Sequence, residues 1–148
     1  MNKKRLLSVE SNSEAQTKRF ASSAVSYFNP GDTILLYGNL GSGKTFLVKQ
    51  FARALGYQEQ VTSPTFAIMH QYYNNNVLIH HIDLYRIDKK NELTNLGFED
   101  IWEMQSINFV EWPQFIEDQV PDLHYRIYIT MNEGSAKHRT FSLYKCIL

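Results

Sequence analysis

The chain has 148 residues, a length that suits one compact domain able to bury about two-thirds of its unfolded surface. Its 15 Lys and Arg residues balance its 15 Asp and Glu residues, so the formal net charge is zero. This balance excludes a strongly basic surface that would recruit nucleic acid by itself. No apolar span of about 18 residues is present and the only cysteine is Cys146, so we expect a soluble cytoplasmic protein without an internal disulfide.

The first predicted elements are an edge strand over residues 5–9 and a helix after it. Ser11 and Glu14 have the S-x-x-E spacing of a capping box, which predicts that the helix starts there. Apolar and small residues then recur at steps of three and four, as on one face of a helix, up to a turn at residues 29–32. This predicted stripe comprises Thr17, Phe20, Ala21, Ala24, Val25 and Phe28.

Residues 38–45 have the sequence GNLGSGKT and match the phosphate-binding pattern G-x-x-x-x-G-K-[ST]. An apolar run at residues 33–37 predicts a buried strand before the motif, and the residues after it have helical spacing. Strand, glycine-rich loop and helix are the context that this motif needs. The buried face of the helix is predicted to contain Leu47, Phe51, Ala54 and Leu55, with Gly56 as the C-terminal stop.

The motif predicts a cradle for the phosphates of a nucleotide. Glycines let the backbone curl so that its N–H groups point inward, and the start of the next helix adds a partial positive charge. Lys44 would reach the terminal phosphates, and the Thr45 hydroxyl would be one ligand of Mg²⁺. The alternative is a glycine-rich turn that precedes a lysine by chance, which the flanking strand and helix disfavour. The rest of the predicted cradle is Asn39, Leu40, Gly41, Ser42 and Gly43.

Two strands predicted at residues 66–73 and 77–84 decide the class of sheet. Both are rich in aromatic and β-branched residues and only three asparagines join them, so they form a hairpin and are antiparallel. A doubly wound parallel sheet would place a helix between them. We therefore predict an α/β fold for residues 1–148, a single three-layer P-loop NTPase domain with a mixed parallel and antiparallel sheet flanked by helices.

Shorter helices and strands are predicted in the second half of the chain. Residues 88–105 are more polar and are expected to contain one or two short helices, followed by a strand at residues 106–110. Pro113 is suited to open a short helix that runs through Gln119. Two alternating segments close the chain as a final hairpin, at residues 125–131 and 141–147.

Two acidic residues follow apolar strands, where side chains of a sheet can converge on bound phosphates. Asp83 ends the run at residues 78–82, and Glu111 ends the run at residues 107–110. Each could support a magnesium ion or orient an attacking water, although an ordinary surface acid at a strand end is the alternative for each. Thr65, in a loop fixed by Pro64, could sense a terminal phosphate as switch loops do, or be an ordinary turn residue.

Four motifs, in this order, resemble the TsaE (YjeE) family of bacterial ATPases, which works in the threonylcarbamoyladenosine modification of tRNA. Loops of this family commonly have Asp and Ala where this chain has Asn39 and Ser42. These differences put little in doubt, because the backbone makes the cradle and Ser is as small as Ala. The motifs are GNLGSGKT at residues 38–45, SPTF at 63–66, HIDLYR at 81–86 and EWP at 111–113.

The resemblance implies ATP and Mg²⁺ as cofactors and a protein complex as the partner. Members of the family act with TsaB and TsaD, hydrolysing ATP to reset the complex after the threonylcarbamoyl transfer by TsaD. Contact with tRNA would then be indirect, which agrees with the zero net charge. The residues that the resemblance assigns are Lys44, Asp83 and Glu111 for catalysis, Thr45, Asp83 and Glu111 for magnesium, Trp112 near the nucleotide and Thr65 in a switch-like loop.

Two other functions use the same phosphate loop. A small-molecule kinase usually carries an arginine-rich lid, and residues 88–105 contain no arginine, which disfavours this function. A nucleotide-gated binding subunit would use ATP to order residues 63–66 as a docking surface, with little turnover. A zinc site built on His70, His80 and His81 is disfavoured, because no nearby cysteine completes four ligands.

Overall fold

A seven-stranded mixed sheet forms the centre of the computed structural model, which describes residues 1–58, 68–74, 77–94, 96–132, 134–135 and 137–148. The strands are β1 (Asn2–Ser11), β2 (Thr33–Tyr37), β3 (Met69–Tyr73), β4 (Leu78–Asp83), β5 (Ser106–Glu111), β6 (Leu123–Met131) and β7 (Arg139–Ile147). The helices are α1 (Glu14–Ala24), α2 (Lys44–Ala54) and α3 (Phe98–Glu103), with 3₁₀ turns at Val25–Tyr27, Lys90–Leu93 and Pro113–Phe115.

The strand order β1-β7-β6-β2-β5-β4-β3 places four parallel strands at the centre, with antiparallel pairing at both sides. Parallel strands that are covered on both faces are near-continuous apolar runs, as TILLY is in β2. Both predicted hairpins are present, and the prediction of a mixed sheet is confirmed. Because parallel strands end at one edge, the carboxyl ends of β2, β4 and β5 lie side by side.

Helices cover both faces of the sheet, which gives the three predicted layers. On one face, α1 and α2 bury Phe20 and Phe51 in a cluster with residues of the central strands. On the other face, Ile101 of α3 joins a second cluster that includes Leu35 and Val110. Residues 88–105, where one or two short helices were expected, contain two short helical segments. Within the described part of the chain, no helix has the length and apolar character that spanning a membrane requires.

The edge strand β1 is longer than predicted. It covers ten residues, Asn2–Ser11, where the apolar pattern predicted only residues 5–9. Its backbone pairs with β7 along this whole length, with a bulge between Arg5 and Leu7. Ladder hydrogen bonds use backbone groups, so the polar residues at both ends extend the strand without needing an apolar pattern.

Helix α1 starts two residues later than the predicted capping box implies. Its N-cap is Ser13, whose hydroxyl accepts the Gln16 N–H at 3.2 Å, and the Gln16 side chain accepts the Asn12 N–H at 2.7 Å. Ser11 cannot cap the helix, because it still pairs with Arg139 as the last residue of β1. The S-x-x-E spacing was therefore coincidental, and S-x-x-Q two residues on forms the cap. The predicted stripe on α1 is otherwise confirmed, with Thr17, Phe20, Ala21 and Ala24 buried.

The predicted face of α2 is correct except at its last turn. Leu47 and Phe51 are fully buried, whereas Ala54 is exposed and Leu55 is only half-buried. Ala52 takes the place of Ala54, because steps of four residues from Val48 keep one face toward the core. The helix ends as predicted, with the Gly56 N–H donating to the Arg53 carbonyl at 3.0 Å.

The short helix predicted from Pro113 to Gln119 begins at Pro113 as expected, but it is shorter than predicted and is not an α-helix. Only Pro113–Phe115 forms a 3₁₀ turn, and turns follow as far as Gln119. The Ile116 and Gln119 N–H groups each donate to the carbonyl three residues earlier, which is 3₁₀ spacing, not α-helical spacing. This tighter path buries Ile116 and Val120 in the second cluster.

Replacing Phe51 with alanine is expected to lower the free energy of unfolding by about 3–5 kcal/mol. The ring is fully buried, stacks on Phe109 at 5.1 Å and meets Phe28 edge-on at 5.7 Å, so its loss leaves a cavity. Arg53→Ala, at an exposed position of the same helix, should change stability by less than about 0.5 kcal/mol. Urea unfolding followed by circular dichroism measures both; equal losses would contradict this account of the core.

Candidate functional site

The glycine-rich loop connects the end of β2 to the first residue of α2, as the motif predicted. Gly43 is the N-cap of α2 and has a φ of 99°. This left-handed backbone conformation is strained in residues that carry a side chain. A Cβ at Gly38 would come within 2.4 Å of the Ser42 hydroxyl oxygen. Glycine at these two positions therefore lets the loop close tightly over the start of α2, where free backbone N–H groups make a site for anions.

Lys44, the first residue of α2, is held inside this loop. Its ammonium group donates to the Gly38 carbonyl at 2.5 Å and to the Asn39 carbonyl at 3.1 Å, and lies 3.9 Å from the centre of the Trp112 ring. Burial lowers the pKa of Lys44, and the charges of Glu111 and Asp83 oppose this shift. The site thus concentrates a positive charge at the loop and two negative charges beside it.

The two predicted acids lie next to each other at the ends of neighbouring strands. Asp83 is the last residue of β4, Glu111 is the last residue of β5, and they are register partners. The Thr45 hydroxyl donates to Glu111 and lies 3.0 Å from each carboxylate oxygen. Asp83 accepts the Tyr85 N–H at 3.0 Å. Burial raises the pKa of Asp83, and the neighbouring charge of Glu111 adds to this rise.

This donor set fits magnesium. The groups that converge on the start of α2 are the Thr45 hydroxyl and the Asp83 and Glu111 carboxylates, all of which are oxygen ligands. Oxygen is the ligand atom that Mg²⁺ requires, usually from one or two carboxylates together with phosphates and waters. Imidazole and thiolate, which favour zinc, do not line this cavity among the described residues.

Trp112 follows Glu111 in a conformation that is unusual for its type. Its φ of 55° makes it the only residue other than glycine with a positive φ in the described ranges. This left-handed backbone costs roughly 1–2 kcal/mol, and it turns the chain sharply at the end of β5. The indole ring packs beside Tyr85 at 5.0 Å between ring centres and covers the Lys44 ammonium.

Two cavities meet at the loop. The smaller, of about 340 Å³, lies on the acidic side and contains Thr45, Asp83 and Glu111. The larger, of about 570 Å³, lies on the side of β7 and α1, and both cavities share Ser42 and Gly43 in their walls. The Arg139 guanidinium lines the larger cavity and donates to the Ser42 carbonyl at 2.7 Å. The loop therefore separates an acidic compartment from a roomier one.

The structure brings almost all the predicted site residues together. Residues 40–45 of the loop line the smaller cavity together with Asp83, Glu111 and Trp112. Asn39 does not line it, but its carbonyl accepts from the Lys44 ammonium. The predicted switch residue Thr65, with the whole SPTF motif, lies outside the described residues. For the zinc alternative, His80 and His81 are successive on β4, so their side chains face opposite sides of the sheet. No cluster of three metal-binding side chains occurs among the residues that the structure describes.

The sequence analysis assigned no role at the phosphate loop to three residues that contact the site, although it weighed His81 as a zinc ligand. Tyr85 packs on Trp112, Arg139 braces the loop, and His81 contacts Glu111 at 2.5 Å. Alternation along β4 could have found His81, because residues two apart in a strand share a face and Asp83 is two residues on. Arg139 had no such signal, since it reaches the loop only through the pairing of β6 with β7.

Comparisons with known proteins agree with this geometry. The family model described as threonylcarbamoyl adenosine biosynthesis protein TsaE matches residues 11–141. The tRNA threonylcarbamoyladenosine biosynthesis protein TsaE of Bacillus subtilis is 35% identical over 127 residues, which are 86% of this chain and 79% of that protein. The protein of the same name from Rickettsia conorii is 36% identical over 107 residues, 72% of this chain and 61% of its own length.

A solved structure extends the likeness to the fold. The crystal structure of Bacillus subtilis YdiB superposes with a TM-score of 0.79 and 28% identity, over 100% of this chain and 89% of that one. The resemblance inferred from four short motifs is thereby confirmed over most of the sequence. The chain belongs to the TsaE family of threonylcarbamoyl adenosine biosynthesis proteins.

Proposed function

We propose that this chain is a magnesium-dependent ATPase subunit of the machinery that makes threonylcarbamoyladenosine in tRNA. In this role it hydrolyses ATP to drive or reset a partner complex of TsaB and TsaD. The observation that carries the proposal is the Thr45 hydroxyl bonded to the Glu111 carboxylate beside the buried Lys44, at the mouth of a phosphate-binding loop. Membership of the TsaE family supports the pathway.

The two cavities support one orientation of the bound nucleotide relative to the loop. The terminal phosphate would face the smaller cavity, where Asp83 and Glu111 lie, and the nucleoside would extend into the larger one. Phe46 and Phe141 give the larger cavity apolar walls, and Asn12 gives it polar groups, a mixture suited to a base and a ribose. The loop between the cavities would hold the intervening phosphates by its backbone N–H groups.

Lys44, Thr45 and the two carboxylates of the smaller cavity then have definite roles. Lys44 would exchange its carbonyl partners for the terminal phosphates, which carry more negative charge. Thr45 would donate to Glu111 and turn its oxygen lone pairs toward the metal, which it would hold together with Glu111 or Asp83. The carboxylate that does not bind the metal would orient the attacking water. When bound, Mg²⁺ neutralises phosphate charge as a Lewis acid.

The kinase function is weaker on the same observations. Residues 88–105 contain no arginine to form a lid over an acceptor. Leu93, Phe98 and Ile101 bury this segment's apolar side chains in the second cluster, so it packs as part of the core. A site with acids and no acceptor lid suits transfer of the phosphoryl group to water, with the energy used on a partner protein.

Lys44→Ala is expected to abolish productive binding of Mg-ATP, because it removes the only ammonium group among the described residues that line the smaller cavity. Lys49→Ala, on the same helix outside both cavities, should bind as the parent chain does. Isothermal titration calorimetry with ATP and Mg²⁺ measures both variants. Normal ATP affinity and turnover in Lys44→Ala would refute the assignment of the phosphate loop.

Asp83→Asn and Glu111→Gln are expected to lower ATP turnover by about 100-fold or more while changing nucleotide affinity at saturating Mg²⁺ much less. Each substitution keeps the side-chain volume and removes the charge that would hold the metal or orient water. Asp118→Asn is the matched control, because Asp118 is an exposed acid that pairs with Lys90 outside the site. Steady-state phosphate release and calorimetry separate the two effects; lost affinity with normal residual turnover would contradict the assigned roles.

The purified chain is expected to hydrolyse ATP slowly alone and faster when TsaB and TsaD are added. A partner-dependent ATPase has its slow step relieved by the complex that it serves. Phosphate release measured with the chain alone, with each partner and with both partners tests this. Full activity without partners, or radiolabelled phosphate on a small metabolite in place of inorganic phosphate, would favour the kinase function instead.

A further inference from the structure

His81 is a fully buried polar side chain that the proposed mechanism does not use. It lies on β4 two residues before Asp83 and has no exposed surface. Its Nε2 atom lies 2.5 Å from Oε2 of Glu111, which is itself 2% exposed. Burying an imidazole ring is unfavourable unless its nitrogens form hydrogen bonds, so the contact with Glu111 helps to explain why His81 can be buried here.

The direction of the hydrogen bond follows from the chemistry of the two groups. In the state in which Glu111 is ionised, its carboxylate can only accept, so His81 then donates through Nε2–H. The other ring nitrogen, Nδ1, has no hydrogen-bond partner among the described residues. Within the described part of the chain, the one hydrogen bond of the buried ring is therefore with Glu111.

The two oxygens of Glu111 have different partners. The Thr45 hydroxyl lies 3.0 Å from both, but His81 reaches only Oε2. Thr45 sits on the first turn of α2 and would also bind the metal, so its hydroxyl has two duties. His81 lies on the central strand β4 and would not bind the metal as well, so its side chain can hold the carboxylate in one position.

We infer that His81 is a positioning residue, whose Nε2–H holds the Glu111 carboxylate toward Thr45 and so sets the affinity of the nucleotide complex for Mg²⁺. The inference rests on the proposed function, because it takes Glu111 and Thr45 as the magnesium-binding pair. A partner that orients a metal-binding carboxylate typically contributes 10- to 100-fold in metal affinity or activity. His81 acts through Glu111 and lines neither of the two cavities.

His80 provides a matched control on the same strand. It is equally buried, but its ring contacts Asn108 at 2.8 Å and Gln71 at 3.0 Å, on the opposite face of the sheet. Replacing either histidine with leucine removes a buried imidazole and its hydrogen bonds. Only the replacement of His81 removes a contact with the site.

The experiment measures binding of the non-hydrolysable analogue AMPPNP by calorimetry over a series of Mg²⁺ concentrations, with thermal unfolding of each variant recorded in parallel. His81→Leu is expected to raise the Mg²⁺ concentration that gives half of the full gain in affinity by about 10- to 100-fold. Its affinity for AMPPNP without Mg²⁺ should stay within about twofold of the parent chain. His80→Leu should leave the Mg²⁺ requirement unchanged.

Two conservative variants keep the test decisive if His81→Leu does not fold. His81→Gln places an N–H the same number of bonds from Cα as Nε2, whereas His81→Asn places one at the distance of Nδ1. Gln should restore the Mg²⁺ requirement of the parent chain and Asn should not. Equal behaviour of the two would overturn the inference.

The remaining outcomes separate the inference from the proposed function. If the parent chain needs Mg²⁺ for tight binding but His81→Leu needs no more of it, the inference fails and the proposed function stands. If AMPPNP binds the parent chain equally with and without Mg²⁺, the proposed magnesium site fails, and the role of His81 with it. If His80→Leu raises the requirement as much as His81→Leu, both effects come from packing and the inference fails.

Discussion

The burial of the Glu111 carboxylate is the constraint on which the rest of the site depends. A carboxylate that is 2% exposed is costly unless hydrogen bonds and nearby positive charge compensate for the lost water. Thr45 and His81 supply the hydrogen bonds, and the Lys44 ammonium supplies the charge. These three residues come from the start of α2 and the end of β4. The contacts that compensate for burying Glu111 therefore fix the positions of the helix, the loop and the sheet relative to one another.

The parallel centre of the sheet makes this meeting possible. Since β2, β4 and β5 run in one direction, the loop that follows β2 and the last residues of the other two strands share one edge. The same strands are covered by helices on both faces, which keeps water away from their sides. Burial at that edge raises the pKa of Asp83 and lowers the pKa of Lys44. Low solvation also strengthens the attraction of the Lys44 ammonium to Glu111 and Asp83, which opposes the shift of Lys44.

Local patterns predicted what depends on local chemistry. GNLGSGKT predicted the position of the loop, and apolar runs predicted the strands. The first polar residue after two of these runs placed Asp83 and Glu111 at strand ends, where the structure has them. The predictions were wrong where tertiary contacts determine the local structure. Pairing with Arg139 keeps Ser11 in β1, and burial of Ile116 favours 3₁₀ turns over an α-helix after Pro113. The part of the site built by Arg139 could not be predicted, because no spacing in the sequence links it to a loop nearly a hundred residues earlier.

The bulged edge strand β1 has a consequence for how the molecule behaves at high concentration. An open sheet edge offers unpaired backbone groups to the edge of another molecule, and long flat edges promote aggregation. Here the bulge between Arg5 and Leu7 disturbs the flat ladder, and Lys3, Lys4 and Arg5 crowd it with like charges. The opposite edge, β3, has only five residues. In the described residues, both edges thus have features that discourage strand pairing between molecules.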